Sequence, residues 1–178
     1  MINGLRTLLV LLAMMALVCV AQAQVVGKVE KIEGAPEVLR SGTSQCVPIE
    51  ATEPLSVGDQ LRTREGSKIA IRLNDDSVLT LAEKTVMTID EQTLKPSGQN
   101  TSVFSLLLGK LRAVVANRYK MPGSRFEVHT PTAVAGVRGT EFVAETTADE
   151  SKFFGLESET TVQARAFGVC QRFKGCGS

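Results

Sequence analysis

The residues able to do chemistry are few. His129 is the only histidine, so a Ser-His-Asp triad would have to use it, and a histidine-rich metal site cannot be built. No serine or cysteine stands near it in sequence as a nucleophile, and a strand-exposed histidine is commonly ordinary surface. Asn74-Asp75-Asp76 offers carboxylates, but it lacks the spaced ligands and distal glutamate of a calcium loop, and it reads as a hairpin turn. Of the four cysteines, Cys19 lies in an apolar leader, which leaves Cys46, Cys170 and Cys176. Cys170 and Cys176 are close enough for a small disulfide loop, and pairing of Cys46 with either is equally open. A zinc site would need a fourth ligand and tighter spacing. No catalytic residue, metal or cofactor is expected.

Composition narrows the function further. The 178 residues carry 20 basic and 19 acidic groups, a net charge of +1, without the basic footprint of a nucleic-acid binder. There is no tryptophan and a single tyrosine, Tyr119, so stacking platforms for RNA or sugars are poorly supplied. Arg6 precedes an apolar run over 7–20 that closes on Ala21-Gln22-Ala23, the three parts of a cleavable signal peptide. Val18 is too bulky for the position before a lipoprotein cysteine at Cys19. Cleavage after Ala23 gives an exported mature chain with no second membrane-length apolar run. Three segments are expected: a signal peptide over 1–23, a β domain over 24–167 and a Gly- and Cys-containing tail over 168–178.

The elements that must position any site have period two. Ile69, Ile71 and Leu73 alternate with Lys68 and Arg72, the pattern of a half-buried strand. Leu79 with Leu81, Met87 with Ile89, and Phe126 with Val128 each share an inward face. Residues 110–115, 140–144 and 161–166 are further strand candidates. Residues 101–108 fit a helical turn or a buried strand equally well. Loops are expected over 95–100 and 146–151. Short strands with frequent turn signals give an all-β fold, sandwich-like or β-solenoid-like, and no fixed-length repeat is visible.

Two stretches carry a family resemblance. One is Val57-Gly58-Asp59-Gln60-Leu61-Arg62-Thr63 with the strand that follows it. The other, longer and more specific, is Thr130-Pro131-Thr132-Ala133-Val134-Ala135-Gly136-Val137-Arg138-Gly139-Thr140-Glu141-Phe142. Together they resemble the FecR domain family, over residues 58–143, with Val26-Gly27-Lys28-Val29 also fitting. The resemblance implies a periplasmic β-rich domain. In the best-known members it lies beyond a transmembrane helix and a cytoplasmic anti-sigma segment, and it relays a signal from an outer-membrane transporter. This sequence reads instead as a free-standing exported domain.

Within the motif, Pro131, Gly136 and Gly139 read as backbone devices. Asp59 is expected to accept backbone N–H groups of its own turn. Arg138 is either an exposed contact for a partner or, the favoured reading, a structural arginine bonded to loop carbonyls, Glu141 or Asp59. The function that follows is a non-catalytic periplasmic protein-interaction or signal-sensing module with an unnamed envelope partner. A structural or polysaccharide-binding envelope protein is the alternative, and a hydrolase built on His129 is the enzyme reading.

Overall fold

The computed structural model describes residues 24–155 and the backbone of 160–164. The signal peptide, the tail and the Cys170–Cys176 pair lie outside the described residues. Cys46 is disulfide-bonded, and the other half of that bond also lies outside them.

The described chain is almost entirely strand. In order these are β1 (Val25–Glu33), β2 (Glu37–Leu39), β3 (Cys46–Pro48), β4 (Pro54–Ser56), β5 (Gln60–Arg62), β6 (Lys68–Leu73) and β7 (Val78–Leu81). Then come β8 (Val86–Thr93), β9 (Thr101–Val114), β10 (Arg125–His129), β11 (Ala133–Val137), β12 (Glu141–Thr146), β13 (Ser151–Gly155) and β14 (Thr160–Ala164). The sole helical element described is one 3-10 turn, Asn117–Lys120.

One curled sheet wraps a single core. Its hinge is β9, the longest strand, which settles the ambiguity over 101–108 in favour of strand. The first half of β9 pairs with β8 and, in parallel, with β10. The second half pairs with β7 and β12. Here the two halves are called sheet B (β3-β2-β5-β8-β9-β10-β11-β14) and sheet A (β4-β1-β6-β7-β9-β12-β13). Every described ladder except β9–β10 is antiparallel, so the strands form one sheet curled into a half-barrel and not a stack of parallel rungs.

Alternation builds the core from both halves. Ile69, Ile71, Leu79, Leu81, Leu111 and Phe142 from sheet A meet Leu61, Met87, Ile89, Phe104 and Phe126 from sheet B. Each such side chain contributes roughly 1.5–3 kcal/mol by leaving water. The residues between them on sheet A face outward, and they form the surface described next.

Candidate interaction surface

The long motif turns the chain from sheet B into sheet A. Thr130 opens the β10–β11 turn, and its hydroxyl accepts from the Ala133 N–H at 3.0 Å. The Ser151 hydroxyl donates to Thr130 Oγ1 at 2.8 Å and sits 2.8 Å from Thr146 Oγ1. Thr130, Thr146 and Ser151 thus fasten this turn to β12 and β13 of the other sheet. Pro131 is exposed within the turn, where it lacks only a donor that solvent would have taken. Gly136 lies in β11 opposite Glu127. Val137 and Phe142 are buried in the core. Thr140 is buried, and its carbonyl accepts from the Val115 N–H at 3.0 Å. Gly139 lies under Lys120, with the Lys120 Cγ 2.7 Å from where a β-carbon would stand.

Asp59 does what its position after Gly58 predicts, and more. It is buried, and its carboxylate accepts the Ser56 N–H at 2.9 Å and the Ser41 N–H at 3.2 Å. Arg40 donates to it at 2.6 Å and also pairs with Glu53. Asp59 therefore ties the β4–β5 turn to the β2–β3 loop. Arg40, distant in sequence, is the partner the sequence did not reveal.

Arg138 departs from the favoured expectation. It is exposed, and neither of the carboxylates proposed for it is its partner. Asp59 is held by Arg40, and Glu141 by Arg112 at 2.6 Å. Arg138 makes no hydrogen bond or ion pair among the described residues.

The outward face of sheet A is built in rows set by strand register. Lys31, Ala70, Thr80, Arg112, Val143 and Phe154 follow one another across six strands. Beside that row, Glu33 pairs with Lys68 across β1 and β6, and Lys110 with Glu145 across β9 and β12. Ala70, Thr80 and Ala82 are too short to fill the space between their long neighbours. An open groove of about 320 Å³ results, lined also by Lys31, Lys68, Lys110 and Arg112.

The FecR protein family matches residues 59–159, more than half of the chain. The chain belongs to the FecR family. The match begins one residue after the expected start and runs on through β13, while the Val26–Val29 opening lies outside it. No curated protein matches the sequence. Two crystal structures of a candidate anti-sigma factor from Parabacteroides distasonis are similar at 19% and 17% identity, each with a TM-score of 0.42. Each alignment covers 58% of this chain and 50% of the other, so the FecR chain spans about half the length of those relatives.

The FecR family is non-catalytic, and the groups that could have built an enzyme here are otherwise engaged. His129 Nε2 lies 2.9 Å from Glu127 Oε2. Ser105 is opposite His129 in the β9–β10 ladder, but its hydroxyl donates to Asp90 at 2.6 Å. A nucleophile bonded to a carboxylate in place of a histidine is not activated by that histidine. Among the described residues no three His, Cys, Asp or Glu side chains gather as a metal site, and no helix is long and apolar enough to cross a membrane.

Asn74-Asp75-Asp76 forms the β6–β7 hairpin turn, as expected, with Asp76 at φ 69°. Sequence reasoning missed that Asp75 is wholly buried in the FecR domain. Its carboxylate accepts the Ser77 N–H at 2.8 Å and the hydroxyl of Tyr119, which also lies 2.7 Å from Ser102 Oγ. Burial, and then the hydrogen bond to Asp75, push the Tyr119 phenol well above its ordinary 10.0. The unfolded chain loses that proton first as pH rises, so stability is full below about pH 10 and falls above it. Since Tyr119 is the only tyrosine, the near-ultraviolet phenolate absorbance of the native protein is expected to stay absent past pH 10 and to appear with unfolding. Ionisation at the ordinary value in the folded protein would refute this.

Proposed function

We propose that this FecR protein is an exported periplasmic interaction module that holds an envelope partner and reports a signal through it. The observation that carries the reading is Arg138. It is exposed at the β11–β12 turn of the motif and makes no hydrogen bond or ion pair among the described residues, so its donors suit a partner's carboxylate or backbone carbonyls. The short strand β13 at one end of sheet A pairs only with β12 among the described residues, and its other edge offers backbone groups through which a partner can extend the sheet. The apolar leader over 1–23 supports export, and the family supports the periplasm.

Affinity capture from an envelope extract tests this. The wild-type protein is expected to retain a partner. Arg138→Ala should retain at least about tenfold less, because an arginine anchor carries about 2 kcal/mol or more at an interface. Its unfolding free energy should stay within about 0.5 kcal/mol of wild type, as for an exposed surface side chain. Equal capture by both proteins, or capture of nothing by either, would overturn the reading.

A further inference from the structure

We propose that the groove on the outer face of sheet A docks an extended, acidic segment of a partner protein. This rests on the reading of the chain as an interaction module and names the chemistry of what it holds.

Shape comes first. Ala70 stands opposite Thr80 across β6 and β7, and Ala82 lies just beyond the end of β7. The floor along β7 is therefore low. Lys31 and Lys68 rise from β1 and β6 on one side, and Lys110 and Arg112 from β9 on the other. Strands β6 and β9 flank β7, so the walls stand about 10 Å apart, two inter-strand spacings. That width admits one extended chain. Half-buried Val143 lines the groove next to Arg112, and Val114, 38% exposed, and Phe154, 53% exposed, add an apolar shoulder on the same face among Glu141 and Glu145. The floor and this shoulder give every second residue of an extended segment an apolar contact.

Charge then selects the segment. Four cations and a single carboxylate, Glu33, line the groove, whereas the chain as a whole is nearly balanced. Three of the cations have acidic neighbours, Lys31 with Glu33 at 2.7 Å, Lys110 with Glu145 at 3.2 Å and Arg112 with Glu141 at 2.6 Å. These pairs are about half-exposed and individually weak, so an incoming carboxylate exchanges for them at little cost. Among the described residues Lys68 makes no close ion pair, because Glu33 opposite it is bonded to Lys31, and its ammonium is open to a ligand. A flat anionic bilayer cannot follow the floor between walls about 10 Å apart. A nucleic acid needs a wider basic footprint than these four side chains, and the chain as a whole is nearly balanced in charge.

The test is fluorescence anisotropy with the purified protein and a labelled peptide alternating glutamate and valine. Binding is expected, weakening as salt is raised, with none for the matching lysine–valine peptide. Lys68→Glu should weaken it about tenfold or more, and Ala82→Trp, which fills the floor, should abolish it. Both positions are on the solvent side, and unchanged thermal melts would show that folding is intact. Arg138→Ala should bind the peptide like wild type, which separates this result from partner capture. Wild-type affinity in both groove variants would overturn the proposal. So would no peptide binding in a protein that still captures its envelope partner, or tighter binding to phosphatidylglycerol vesicles than to the peptide.

Discussion

Replacing Tyr119 by alanine is expected to lower the unfolding free energy by about 3–5 kcal/mol, the range for emptying a large aromatic site in a core. Two separable contributions make up the loss. The ring packs edge-on against Phe126 with centroids 5.3 Å apart, and Phe126 continues to Phe104, also at 5.3 Å. The hydroxyl supplies Asp75, whose other oxygen is held by the Ser77 N–H. No cation neutralises Asp75 within this cluster, so its hydrogen bonds carry the whole compensation for burying a carboxyl group. Tyr119→Phe keeps the ring and removes only the hydroxyl. It should cost about 1–3 kcal/mol, the penalty for leaving a buried polar group short of a partner. Urea denaturation of the three proteins measures both steps. If phenylalanine were as stable as tyrosine, the Asp75 cluster would not be a structural tie.

What the sequence disclosed follows the length and regularity of each element. Lys68 to Leu73 was legible because six residues alternate without interruption and one face is wet. Leu79 with Leu81 and Phe126 with Val128 were legible for the same reason. Strands β2 to β5 were not, since three residues are too few for a period of two to stand out from a loop. Strand β13 lies across an expected loop boundary, and its Phe153-Phe154 pair breaks the alternation of apolar and polar types. The motif stretch was legible as a family signature, but its geometry was not. The fate of Arg138 depended on which cations take Glu141 and Asp59, and those are Arg112 and Arg40 from other strands. Likewise Asp75 looked like any polar turn residue until the fold brought Tyr119 over it from 44 residues away. The groove is a property of register. Ala70, Thr80 and Arg112 are unremarkable along the chain and significant only side by side.

Register also explains why one glycine is expected to be nearly irreplaceable. Gly109→Ala should cost about 3–5 kcal/mol, although it adds a single methyl group. Gly109 sits where β9 passes from sheet B to sheet A, with φ at +95°, a backbone region that L side chains rarely adopt. A β-carbon there would stand 2.4 Å from Thr85 Oγ1 and 2.6 Å from the Lys84 carbonyl oxygen. Neither can withdraw easily, because the Lys110 N–H donates to that same Thr85 hydroxyl at 3.0 Å. The strained φ costs about 1–3 kcal/mol, and forcing the two chains apart adds about as much again. Gly42 provides the control. Its φ is +78°, but nothing lies within 4 Å of its missing β-carbon. Gly42→Ala should therefore lose only the backbone part. Thermal or urea melts of the two variants isolate the contact at the hinge of β9. Equal losses would mean that β9 turns between the sheets without needing this close approach, and that the curl of the whole sheet is set elsewhere.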